Sequence, residues 1–169
     1  KIYPCMPYAH KYANAVTELG VLGTVKEFVP GNVFSTFAKG GLAFMKKDFS
    51  SLAGLMIDAE LKMFKGINTP VVWMQNVITD LLLGLGMTDF LVTFYNHVKQ
   101  KHNVEPGFIT MNLPLLLDTL EKAGIKNPTV CASINKIGFR MSGGVEVYEK
   151  TIAEKRCNLV AMQVLAAGA

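Results

Sequence analysis

Among the residues able to do chemistry, Lys136 has the sharpest setting. It lies two positions beyond the apolar run Pro128-Thr129-Val130-Cys131-Ala132-Ser133-Ile134. A lysine held among apolar neighbours loses charge stabilisation, and its neutral amine can attack a carbonyl carbon to form an imine. The competing role is a loop lysine whose head reaches solvent. Other polar residues close further apolar runs: Tyr8, His10 and Lys11 after Ile2 to Met6, Gln75 and Asn76 after Trp73, Asn112 after Met111, and Asn135 beside Lys136. Gln163 lies within the last run, Asn158 to Leu165. His10 or Tyr8 would move protons, and the amides would orient the hydroxyl, carbonyl or carboxylate groups of a small polar substrate. Local roles compete here too, since Asn112 is a natural helix cap and Asn135 could serve the loop before Gly138.

Strands must position these residues. Thr69 to Met74, Pro106 to Met111, Pro128 to Ile134 and Asn158 to Leu165 are short apolar runs, and helical patterns separate them. A helical zone runs from Val77 to about His97; a second is capped by Asn112, carries Leu116, Leu117 and Leu120 inward, and stops at Gly124. A third is expected to start at a Ser142 cap, with Val145, Tyr148 and Ile152 as its buried stripe. Earlier, Ile2 to Met6 reads as a strand, His10 to Leu19 as a helix ended by Gly20, and Val21 to Val29 as a further strand. Phe34 to Gly41 reads as a loop or short helix. Ser51 to Lys65 reads as a helix with Leu52, Leu55, Met56, Ala59, Met63 and Phe64 inward and Gly66 at its end. Strands apolar on both faces, each followed by a helix, imply a parallel sheet with right-handed crossovers. The fold class is therefore α/β, as a partial (β/α)8 barrel or, alternatively, an open doubly wound sheet. Ligands bind at the carboxyl ends of the strands in both.

Composition removes several functions. The 169 residues carry 17 Lys and Arg against 13 Asp and Glu, a net charge of +4, and 50% are apolar. Basic residues cluster no further than Lys46-Lys47 and Lys99-Gln100-Lys101, without interleaved aromatics, so nucleic-acid binding has no support. The apolar stretch Val77 to Met87 is interrupted by Thr79 and Asp80 and falls far short of the roughly 20 residues of a membrane span. The first residues do not form a signal peptide. Three cysteines, Cys5, Cys131 and Cys157, fit buried thiols in a reduced, cytoplasmic protein. His97 and His102, close to Lys99 and Lys101, read as solvated. No His, Cys, Asp or Glu set has metal-ligand spacing, so no metal or other cofactor is expected. One domain over residues 1–169 is the economical reading. The start at Lys1 and the stop at Ala169 suggest a piece of a longer polypeptide, which favours the barrel over the open sheet.

The sequence from the Trp73 run to the end, with Asn135-Lys136, the Ser142-Gly143-Gly144 segment and the terminal Leu165-Ala166-Ala167-Gly168, resembles the later strand-helix units of aldolase-type (β/α)8 barrels. The resemblance covers roughly residues 70–169. It implies a Schiff-base lysine at or near Lys136, and a phosphate-binding loop near Gly168. The function it implies is a lyase of aldolase type acting on a carbonyl or phosphorylated compound. Two alternatives stand beside it. One is an oxidoreductase of the aldo-keto reductase kind, with Tyr8, Lys11 and His10 as its residue types. The other is a non-catalytic barrel packed in a homo-oligomer through the Met-rich segment Leu42 to Phe64, although Met45, Met56 and Met63 fit a core better.

Overall fold

A computed structural model describes residues 1–6 and 49–168. The helix, strand and loop expected between residues 10 and 41, together with Tyr8, His10, Lys11 and Met45, lie outside the described residues. The elements are β1 (Cys5–Met6), α1 (Phe49–Leu61), β2 (Val71–Met74), α2 (Asn76–Gly84), α3 (Thr88–Lys101), β3 (Glu105–Thr110), α4 (Leu113–Lys122), β4 (Thr129–Ser133), α5 (Val145–Ala153) and β5 (Asn158–Met162). Short 3-10 turns follow α1 at Lys62–Phe64 and β5 at Ala166–Gly168. The class is α/β, with parallel strands alternating with helices.

All five strands pair in parallel, in the order β1-β2-β3-β4-β5. A doubly wound sheet reverses its strand order at a switch point. Among the described strands no reversal occurs, and the sheet fits either part of a barrel or one half of a doubly wound sheet. The helices pack on one another, with α3 touching α1, α2 and α4, and α4 touching α5.

Alternation along each strand divides the side chains between two faces. Met6, Val72, Met74, Phe108, Val130 and Ala132 point at the helices and form one core with Leu91, Phe94, Leu116, Leu120 and Tyr148. Phe94 of α3 meets Phe108 of β3 edge to face, with ring centroids 5.6 Å apart. Register places Val71, Trp73, Gly107, Ile109, Thr129, Cys131 and Val160 on the opposite face. Thr129 there donates its hydroxyl to Glu105 on the adjacent strand. Gly107 is required on this face because a Cβ would lie 2.5 Å from Trp73 Cε3. The absence of a side chain on β3 is what lets the indole of β2 lie flat across it.

Several expectations need correction. The helical zone from Val77 is two helices rather than one. Gly86, at φ +67°, ends α2, and Met87 donates its amide back to Leu82 in a Schellman closure. Ser142 does not cap α5. Gly144 occupies that position, while the Ser142 amide donates to the Met111 carbonyl. Tyr148 is fully buried in α5 but Ile152 is exposed, and Thr151 takes the inward place. Among the described side chains of α1, Gly54, Ile57, Glu60 and Leu61 are buried, Met56 is half-buried and Ala59 faces out. Just beyond the helix Phe64 packs against the core as expected while Met63 is exposed, and the side chains of Leu52 and Leu55 lie outside those described. The 61-to-57 and 57-to-54 spacings define a helical stripe. Cys5, expected to be buried, is exposed, while Cys131 and Cys157 are half-buried and all three are free.

Two substitutions test this account. Gly107→Ala should destabilise the chain by about 1–3 kcal/mol, because neither the indole nor the strand can retreat without repacking. Urea titration read by Trp73 fluorescence measures it. Tyr148→Phe should cost about 1–3 kcal/mol in the same assay, because it leaves the buried Leu113 amide without its acceptor at 3.1 Å.

Candidate functional site

The carboxyl ends of the strands form a rim whose polar groups are largely tied into the turns that leave it. Gln75 is the N-cap position of α2. Its carbonyl accepts from the Thr79 amide at 2.9 Å and from the Thr79 hydroxyl at 3.1 Å. Asn76 opens the same helix and is half-buried. Asn112 caps α4 as predicted, its Oδ1 accepting from the Leu115 amide at 3.4 Å. Asn135 is buried and closes its own loop. Its Nδ2 donates to the Phe139 carbonyl and its Oδ1 accepts from the Phe139 amide, both at 2.8 Å. Gln163 turns the chain after β5 with φ +54°, and its Oε1 accepts from the buried Ser133 hydroxyl at 2.6 Å.

Three of the predicted site residues come together at one cavity. Asn135, Lys136 and Gly168 line an open, mainly apolar hollow of about 880 Å3 at the carboxyl ends of β4 and β5. Ile134, Met141, Tyr148 and Val164 contribute to its walls, and Glu149 of α5 adds a carboxylate. Lys136 is exposed on the loop after β4, so the cavity reaches it from one side only. Gln75, Asn76, Asn112 and Gln163 are not among the residues lining this hollow. Glu149 escaped the sequence reading because it lies on the helix, 13 positions after Lys136, rather than directly after a strand.

At the other end of the sheet a second cluster forms that the sequence did not reveal. Asp58 of α1 is met by His97 of α3 and by His102, the residue that ends α3. The two Nε2 atoms lie 2.7 and 2.8 Å from Asp58 Oδ1, and Lys101 Nζ lies 2.5 Å from Oδ2. An ionised carboxylate only accepts, so both imidazoles donate through Nε2. Burial works against the charge on Asp58, but hydrogen bonds from Lys101, His97 and His102 override it and hold the carboxyl at about 2. The histidines expected to be solvated are thus half-buried partners of an acid 39 and 44 residues upstream. The ligating atoms of Asp58, His97 and His102 lie within 4.8 Å of one another, so a metal-capable set exists where none was expected.

The half-buried thiols do not add a nucleophile. Burial pushes the Cys131 thiol up, and it pushes Cys157 up against the opposing charge of Arg156. Both are held as protonated thiols near neutral pH. Among the described residues no helix is long and apolar enough to cross a membrane. Comparison with known proteins finds no matching family model, curated protein or solved structure.

The depressed Asp58 carboxyl links this cluster to stability. Its folded value of about 2 lies below the ordinary 3.8, so its contribution is present above pH 3.8 and is lost as pH falls through about 2. Asp58→Asn should therefore cost about 1 kcal/mol at neutral pH, discounted because water reaches the cluster. Urea midpoints of the two chains should converge on acidification.

Proposed function

We propose that this chain is part of a (β/α)8-type enzyme of aldolase or lyase kind. Its substrate would be a small polar carbonyl or phosphorylated compound, bound at the carboxyl ends of the strands. The observation that carries the reading is the meeting of Lys136, Asn135, Gly168 and Glu149 around one cavity at the ends of β4 and β5. A carbonyl compound seated there would bring its carbon to the Lys136 amine. Addition gives a carbinolamine, and loss of water, with a proton delivered to the departing hydroxyl, gives the iminium. Glu149 is the carboxylate available to deliver and recover that proton. As the β-hydroxyl loses its proton, the bond between the α and β carbons breaks to release an aldehyde, and its electron pair passes into the iminium to give an enamine. Protonation of the enamine on carbon restores an iminium, whose hydrolysis releases the second carbonyl product and the free lysine. Because Lys136 is exposed, desolvation of its amine must come from the substrate itself, as its body covers Nζ against the apolar wall. Gly168 lies in a turn with φ +90° and donates its amide to the Leu165 carbonyl at 2.8 Å, so a phosphate seated beside it would draw its donors from elsewhere, the Lys136 ammonium among them. This chemistry needs no cofactor, involves neither nucleic acid nor membrane, and suits a cytoplasmic location.

A second reading, a non-catalytic barrel in a homo-oligomer, is favoured by the internal use of the amides of Asn112, Asn135 and Gln163. The exposed Val160, Val164 and Leu165 along and after β5 would then be contact surface. Nothing described supports the aldo-keto reductase alternative, since Tyr8, His10 and Lys11 lie outside the described residues.

Borohydride trapping separates these readings. The full chain, incubated with a panel of small aldehydes, ketones and sugar phosphates and then reduced, should yield a single modified peptide containing Lys136. Lys136→Met should abolish that adduct, and Glu149→Gln should slow its formation by about 100-fold, the scale of a general acid–base contribution. Labelling spread evenly over surface lysines, or none with any carbonyl, would move the assignment to the non-catalytic barrel.

A further inference from the structure

The cluster of Asp58, His97 and His102 lies at the amino ends of the strands. We propose that Asp58, His97 and His102 form a binding site for a divalent transition metal of the zinc class, with Asp58 Oδ1 and the two Nε2 atoms as ligands. This goes beyond the imine reading and does not depend on it, because the cluster lies at the opposite end of the sheet from Lys136.

Four features support the site. The first is the donor set. Two imidazoles and one carboxylate are the ligands that zinc and its neighbours prefer, and three protein ligands leave a fourth position for water. The second is convergence. Both Nε2 atoms already point at one carboxylate oxygen, at 2.7 and 2.8 Å. A tetrahedral ion with arms of about 2.0–2.2 Å sets its ligands about 3.4 Å apart, so each Nε2 has to draw back from Oδ1 by about 0.6–0.7 Å, within the reach of a side-chain rotation. Ligation requires each Nε2 to present its lone pair, with the ring hydrogen carried on Nδ1.

The third feature is the packing that holds the rings. Gly54 lies one helical turn before Asp58, and a Cβ on it would fall 2.8 Å from His97 Cε1 and 2.9 Å from Nδ1. A glycine within a helix costs about 1 kcal/mol relative to alanine. Here it admits the imidazole against the α1 backbone and fixes the ring toward Asp58. The fourth is the field. His102 ends α3, where the carbonyl ends of the helix favour positive charge.

Lys101 has a defined part in this arrangement. Its ammonium holds Oδ2, so Asp58 presents Oδ1 alone, in the way that outer hydrogen bonds orient a metal-bound carboxylate. Asp58 and His102 also border a hollow of about 500 Å3, which supplies space for the fourth ligand. Lys62, Lys65 and Lys101 line the same hollow and oppose a cation, so the expected affinity is micromolar rather than that of a closed structural zinc site.

The test uses the full chain, freed of metal by chelator and titrated with Zn(II) in a calorimeter near neutral pH. One equivalent should bind, the melting temperature should rise with Zn(II), and Co(II) should give the intense visible bands of a four-coordinate site. His102→Gln should weaken binding by at least about 100-fold, since loss of an outer partner alone costs 10- to 100-fold. Asp58→Asn provides the second variant should His102→Gln fail to fold, as judged by circular dichroism. Cys131→Ser should bind as the unaltered chain does. Absence of stoichiometric binding, affinity unchanged by both ligand variants, or loss of binding in Cys131→Ser would overturn the site.

Discussion

The turn that leaves β3 at Met111 is the constraint on which the described fold depends. Three backbone groups there have left the sheet ladder and must find partners among elements remote in sequence. Asp80 of α2 accepts the Thr110 hydroxyl and the Met111 amide, at 2.5 and 3.0 Å. The Tyr148 hydroxyl of α5 donates to the Met111 carbonyl at 2.7 Å and accepts from the Leu113 amide. The Ser142 amide reaches that same carbonyl. Burial, and then the nearby Asp80 charge, push the phenol up, which keeps it protonated as a donor. One turn thus ties α2, β3, α4 and α5 together, and the order of strands follows from elements that cannot exchange places without breaking it.

That demand explains why the carboxyl rim looks polar in sequence. A parallel strand must hand over to a helix within a few residues, and the orphan amides of that helix need side-chain acceptors. Asn112 supplies one for α4, and Asn135 supplies the equivalent service to its own loop. Among the described residues, the part of the rim left to face a ligand lies beyond β4 and β5, where Lys136 and Glu149 border the same hollow. The amino ends of the strands obey a different rule. There α1 and α3 close on one another through an acid and two imidazoles, which concentrates charge at the end of the sheet away from the rim.

The candidate sites differ in how far they could be read in advance. The rim positions of Asn135 and Lys136 were legible because position after an apolar run predicts the carboxyl rim of a parallel sheet, and the sheet is parallel; Gly168 entered only through the resemblance to aldolase-type barrels. Glu149 was not, since its relation to Lys136 comes from the pitch of α5 and the path of the preceding loop. Asp58, His97 and His102 gave no local signal, because their contact is made only when α1 packs on α3. Even the histidines misled, as neighbouring lysines marked the surface without showing that Asp58 would come to it.

Alternation of apolar runs with helical patterns was enough to determine the α/β class, the five described strands to within a few residues, and the Asn112 cap. These are short-range matters, settled by side-chain periodicity and by one amide oxygen reaching one backbone N–H. Tertiary structure alone decided the uninterrupted strand order and the need for glycine beneath Trp73. It also decided the inward stripe of α1 and the convergence of two histidines on Asp58. The physical reason is that burial and hydrogen-bond satisfaction in these cases join residues 30 or more positions apart, and no pattern within a single element records its partner.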